Sequence, residues 1–304
     1  MMLPVLHVGF HKSGSTTLQN ALFARHSQIA NLGEPEEHPK ALDAMRNAWE
    51  SCNRDPAERK IFELERDRAL WQQALGEVES GKVPLFSKER LTLFEHCSEA
   101  GDPCLPHKLR QVVGPARIVI VTRHQIKLVE SLYYSKTDGE LTPEQWLQMK
   151  TEGALNRERF HVYRYHAFAE SYADAFGREN VGIFMLEELA ADVDSFAQRL
   201  CRFIGVDAEE AVRLLKDQQF HSRKTLRGLS YAKLRKLISP NIHFGRYVPK
   251  GMLDGFSAFL SRGKPIRVEL PANWVAEMRS YYRDDNRRLA RDWGLPLEKY
   301  GYPL

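Results

Sequence analysis

The chain has 304 residues, 43% hydrophobic and 28% charged, the make-up of a soluble globular protein with room for one large domain or two small ones. A net charge of +4 is too small to name a partner, and four irregularly spaced cysteines (Cys52, Cys97, Cys104 and Cys201) exclude a disulfide framework. No apolar run approaches the ~20 residues that span a bilayer, and "MMLPVLHVGF" enters a strand too early for a signal peptide, so a cytoplasmic protein is expected.

In chain order, apolar runs bounded by turn residues predict strands at Val5–Gly9, Val83–Ser87, Ala116–Thr122 and Asn180–Met185. The third, "ARIVIVTR", is apolar on both faces, as a central parallel strand should be. Helices are predicted at Thr16–Arg25, Pro39–Trp49, Pro56–Leu75, Ile126–Ser135 and Phe160–Phe176, with a further start at Pro143 in "PEQWLQMK". From about Ser195 onward the chain reads as mostly helical. Alternating strands and helices imply an α/β fold, a P-loop-like parallel β-sheet flanked by helices, with a largely helical C-terminal part. A single domain over residues 1–304 is the simplest organisation, with ligand binding at the carboxyl ends of the strands.

The cluster "HCSEAGDPCLPH" brings His96, Cys97, Cys104 and His107 together, but without the CxxC-like pairs of structural zinc sites. These are read as ordinary thiols and surface histidines, and no metal is expected. From Gln218 to Leu253 the chain has basic residues and no acid. That segment is either a solvated face or a neighbour of an acidic ligand.

The stretch "GFHKSGSTT" after the first strand carries the strongest signal. Gly9 and Gly14 let the backbone turn tightly and bring its N–H groups against an anion. Ser15, Thr16 and Thr17 supply hydroxyls and a helix N-cap, the helix dipole faces the bound group, and Lys12 reaches the same oxygens. A plain strand-to-helix turn would show some of these features, but the whole run favours an anion. A nucleotide-hydrolase loop would place lysine after the second glycine, where Ser15 stands. Such enzymes also need an acid at a strand end for magnesium, and here the central strand ends in Arg123. The arrangement suits an anion held without metal.

"GFHKSGSTTLQ" resembles the phosphosulfate loop of sulfotransferases that use 3′-phosphoadenylyl sulfate (PAPS), written around K-[TS]-G-[TS]-T. "RHQIKLVESLYY" resembles their 3′-phosphate segment, in which an arginine ends a strand and a serine follows eight residues later, the spacing of Arg123 and Ser131. The closing "WGLPLEKYGYPL" is similar to bacterial, carbohydrate-sulfotransferase-like members, whereas His124 and Gln125 replace their usual Asp-Pro. The resemblance implies sulfuryl transfer from PAPS to a hydroxyl or amine of a sugar, glycolipid or small metabolite, leaving adenosine 3′,5′-bisphosphate (PAP). It implies donor contacts from Lys12, Ser13, Gly14, Ser15, Thr16, Thr17, Arg123 and Ser131. In related enzymes a basic C-terminal loop closes on the 3′-phosphate, and Arg223 and Lys224 match it loosely. For the base that deprotonates the acceptor, Glu89 in "LFSKERL" comes first, His11 second and His124 third. Aromatic candidates for an acceptor cleft are Tyr133, Tyr134, Tyr231 and "NIHFGRYVPKGM". The competing readings are a P-loop small-molecule kinase and a nucleic-acid-binding protein using the 218–253 basic segment, which would leave the loop and Arg123 unexplained.

Overall fold

The computed structural model describes residues 2–34, 36–52, 60–92, 104–136, 141–151, 163–217 and 269–304. Five strands are present: β1 (Val5–Gly9), β2 (Ile29–Asn31), β3 (Val83–Ser87), β4 (Arg117–Thr122) and β5 (Val181–Met185). All pair in parallel, in the order β2-β3-β1-β4-β5. The helices are α1 (Ser15–Thr17, continuing as a π turn over Leu18–Phe23), α2 (Pro39–Glu50), α3 (Leu64–Gly76), α4 (Cys104–Val113), α5 (Gln125–Lys136) and α6 (Pro143–Thr151). They continue with α7 (Tyr165–Phe176), α8 (Leu186–Ala191), α9 (Val193–Ile204), α10 (Ala208–Lys216) and α11 (Ala272–Trp293).

The two-residue period of the strands sorts their side chains into two cores. Leu6, Val8, Phe86, Ile118, Ile120 and Ile183 meet residues of α2, α3, α4 and α7 on one face. Val5, Val83, Leu85, Val119, Val121 and Phe184 meet α1, α9 and α10 on the other. A sheet covered on both faces needs near-continuous apolar strands, which is why "RIVIVT" shows no polar alternation. A third cluster joins Ile126 and Val129 of α5, Trp146 and Leu147 of α6, and Trp274, Met278 and Tyr282 of α11.

Four predicted strands stand within a residue of their expected bounds. The edge strand β2 was not expected, because its three residues "IAN" have no pattern of their own and are held by β3. The helix after the first loop begins at Ser15 and winds into a π turn that ends at Phe23 rather than Arg25. Helix α3 starts at Leu64 and α7 at Tyr165, while the starts expected at Pro56 and Phe160 lie outside the described residues. Among the described residues no helix is long and apolar enough to cross a membrane. The chain runs from β1 to one side of the sheet through β2 and β3, then returns to add β4 and β5 on the other. The carboxyl ends of β1 and β4 therefore flank the topological switch point, where open α/β sheets bind ligands.

Candidate functional site

At the end of β1 the carbonyl of Phe10 gathers the loop. It accepts from the Ser13 amide at 3.2 Å, the Ser13 hydroxyl at 2.6 Å and the Ser15 hydroxyl at 3.2 Å. Ser13 and Ser15 are buried, so these hydroxyls fix the loop from inside. The expected hydroxyl N-cap is corrected here: Gly14 stands at the cap of α1 in the left-handed region (φ 86°), and no side chain caps the helix. A Cβ on Gly14 would meet Leu186 Cδ1 at 2.6 Å, and one on Gly9 would run into the Ser15 hydroxyl. With both hydroxyls turned inward, the donors the loop leaves over are the first-turn amides, which have no intrahelical carbonyl. Thr16 and Thr17 remain at the surface of that turn, Thr16 exposed and Thr17 half-buried.

Lys12 is exposed and has φ 64°, the one non-glycine residue with positive φ among the described residues. Its carbonyl accepts from Arg123 Nη1 at 2.6 Å. The strand order explains this meeting of residues 111 apart in sequence, because β1 and β4 are neighbours and both chains turn at the same end of the sheet.

The turn that carries Arg123 is gripped from behind. The Tyr165 hydroxyl donates to the Arg123 carbonyl at 2.7 Å. The His124 amide donates to Glu187 at 3.0 Å, and the other Glu187 oxygen accepts from the Tyr302 hydroxyl at 2.9 Å. His124 Nε2 donates to the Gly301 carbonyl at 2.8 Å, while Gln125 donates to Asn286, which donates to the Pro303 carbonyl. The C-terminal "YGYPL" thus seats the His-Gln pair that departs from the Asp-Pro pattern. Burial holds the His124 imidazole below its ordinary range, and its hydrogen bond to Gly301 makes it a structural group. Ser131 lies two turns into α5, half-buried.

On the other side of β1, the residues after β3 meet the loop. His11 Nδ1 lies 2.5 Å from Glu89 Oε2, so two residues singled out separately form one pair. The imidazole is the more open partner, 56% exposed against 29% for the carboxylate. The hydrogen bond from His11 holds the Glu89 carboxyl below its ordinary range, against the opposing effect of burial and with help from the charge of Lys12. Glu89 opens a short 3₁₀ turn, Glu89–Thr92, at the position a helix N-terminus would also favour.

Beneath the pair lies a buried polar group. His7, in register with Ser87, bonds Ser87 Oγ through Nδ1 at 2.7 Å, and Gln19 donates to the same oxygen at 2.9 Å. Complete burial lowers the His7 pKa to about 4. Between its ordinary value of 6.5 and about 4, unfolded His7 takes up a proton that the folded protein refuses, so stability rises with pH across that window. Acidification through it is expected to cost up to about 3 kcal/mol. Urea unfolding at about pH 4.5 and about pH 7 should show this slope in the wild type and lose it in His7→Asn. Equal slopes would mean that folded His7 titrates normally.

An open cleft of about 790 Å³ lies against the loop. It is lined by His11, Thr16, Gln19, Lys88 and Glu89 together with Leu42, Arg46, Trp49 and Glu50 of α2. The α2 residues carried no signal in the sequence, since nothing local to "ALDAMRNAWE" ties that helix to the loop. Tyr133 belongs to the core, stacked edge-on against Trp146 with its hydroxyl on the Leu141 carbonyl. The Tyr134 side chain, Arg223, Lys224, Tyr231 and the segment at 241–252 lie outside the described residues. So do His96 and Cys97, while His107 pairs with Asp174 at 3.2 Å.

Residues 4–262 match the family model described as the sulfotransferase domain. Among solved structures, the chain is similar to a sulfotransferase from Alicyclobacillus acidocaldarius, with 14% identity and a TM-score of 0.54 over 96% of this chain and 95% of that one. It also matches the sulfotransferase domain of the Synechococcus PCC 7002 olefin synthase (14% identity, TM-score 0.42, 97% and 96% covered). A third match is a mouse sulfotransferase solved with PAP (15% identity, TM-score 0.41, 84% and 81% covered). No curated protein sequence matches the chain.

Proposed function

We propose, from the premise that this chain belongs to the sulfotransferase domain family, that it transfers a sulfuryl group from PAPS to an acceptor hydroxyl, that of a sugar or glycoconjugate. The observation that carries the reading is the meeting of Lys12 and Arg123 at the switch point of the sheet, 2.6 Å apart through the Lys12 carbonyl. The residues present fit the donor. First-turn amides and the Lys12 ammonium suit a phosphosulfate, and the planar guanidinium of Arg123 suits the 3′-phosphate.

PAPS supplies the sulfuryl group: the acceptor oxygen bonds to sulfur, the bond from sulfur to the bridging oxygen breaks, and PAP leaves. Lys12 and the first-turn amides of residues 15–17 stabilise the charge that grows on the bridging oxygen and the transferred group. The acceptor enters from the β3 side, where the cleft opens beside Glu89, opposite Arg123. Its proton passes to the His11–Glu89 pair, with Glu89 holding Nδ1–H and Nε2 left to accept. Lys12 and Arg123 supply the positive charge, so the reading needs no metal.

The test is calorimetric binding of PAP, compared with ATP plus magnesium, to wild type, Arg123→Ala and Arg123→Lys. PAP should bind without metal. Arg123→Ala should weaken it roughly tenfold to a hundredfold, the worth of a charge-assisted hydrogen bond, and Lys should rescue it only in part. Preference for magnesium-ATP would replace this reading by a kinase, and binding of neither would leave the loop a structural turn.

A further inference from the structure

Among its described lining residues, the cleft beside the loop sets two long cations, Arg46 and Lys88, against two acids, Glu50 and Glu89. Its two acids are both engaged: Glu89 with His11, and Glu50 with Lys60 Nζ at 2.6 Å. Its two long cations are not matched in the same way. Lys88, the residue just before Glu89, makes no ion pair among the described residues. Among the described residues Arg46 pairs only with Asp43, one turn back on α2 at 3.5 Å, with both side chains about half exposed. Such a pair holds the guanidinium weakly. Arg46 is nevertheless well placed, because α2 buries Ala41, Ala44, Met45 and Ala48 against the core and so fixes the helix.

A bound donor would bring several negative charges to the edge of this cleft, and an anionic acceptor would be repelled unless local cations offset them. On the proposed sulfotransferase reading, we propose that the cleft selects an acceptor bearing an anionic group, a carboxylate or phosphate near its reacting hydroxyl, held between Arg46 and Lys88. Arg46 offers a planar fork from α2 and Lys88 a point charge from the turn after β3, both lining a cleft sized for a small ligand. Arg46 and Lys88 determine specificity, while the chemistry stays with Lys12 and the His11–Glu89 pair.

Calorimetric titration of PAP-saturated protein with matched pairs tests this: glucuronate and glucose 6-phosphate against glucose, and para-hydroxybenzoate against phenol. At least one anionic member should bind about tenfold or more tightly than its neutral partner, a difference of about 1.4 kcal/mol. The preference should vanish in the Arg46→Ala, Lys88→Ala double variant, with PAP affinity unchanged. Equal binding within every pair, binding of no member, or a preference that survives in the double variant would overturn the proposal and leave the donor reading intact. Loss of PAP affinity in the double variant would assign these cations to the donor and also overturn it. Failure of wild-type protein to bind PAP would overturn both readings together.

Discussion

Replacing Lys12 by alanine is expected to lower turnover by roughly a hundredfold or more while leaving the fold as stable as the wild type. The size follows from the position of the ammonium, which faces charge that grows only in the transition state. Removing one preorganised donor of that kind costs about 3–4 kcal/mol of transition-state stabilisation. The stability expectation follows from exposure, because the Lys12 side chain packs against no core. Its backbone is the more telling part. At φ 64° the residue sits in the left-handed region at a cost of roughly 1 kcal/mol, held there by the Phe10 carbonyl behind it and by Arg123 on its own carbonyl. Lys12→Gly should therefore relieve strain and lose a similar amount to the larger freedom of the unfolded chain, so its stability should stay within about 1 kcal/mol of wild type. Both variants should melt near the wild type and fail in single-turnover sulfuryl transfer. Early melting of Lys12→Gly would mean that the side chain supports the loop. Undiminished turnover would remove Lys12 from the chemistry.

Much of this site could be read from sequence because its two halves are local. The loop at residues 9–17 and the arginine closing β4 each sit at the end of an apolar strand, and a parallel sheet brings such ends to one edge. Which strands are neighbours is not local information. His11 and Glu89 were separate candidates until the register of His7 against Ser87 put their following residues side by side. The π turn at Leu18–Phe23 was hidden because its apolar pattern is that of any amphipathic helix. The inward turn of the Ser13 and Ser15 hydroxyls was hidden as well, since a Ser- and Thr-rich loop reads as a set of outward donors. His124 and Gln125 looked like departures from a pattern, yet the closing "YGYPL" supplies the carbonyls that hold them. That compensation links residues about 177 apart and has no signature within either segment.

His11→Ala is expected to reduce kcat/KM by roughly a hundredfold to ten-thousandfold, the range for losing a positioned base. Glu89 as the direct base would predict something else, and the 2.5 Å contact between the two residues lets pH separate the cases. Glu89 lies below its ordinary carboxylate range chiefly because His11 donates to it. If the carboxylate took the acceptor proton itself, His11→Ala would remove that cause. The acidic limb of kcat/KM would then move upward toward the ordinary carboxylate range, with activity largely kept. If the imidazole takes the proton through Nε2, His11→Ala loses the activity outright and no shifted limb replaces it. Glu89→Gln completes the separation. Its amide oxygen still accepts from Nδ1–H but carries no charge to face the imidazolium, so the loss should be smaller than in His11→Ala. Glu89→Ala, which also frees the ring to rotate, should lose more than Glu89→Gln. Equal losses in the two Glu89 variants would assign the carboxylate's role to its charge alone. A fully active His11→Ala with the upward limb would return the base to Glu89 and make His11 a positioning residue that keeps the carboxylate ionised.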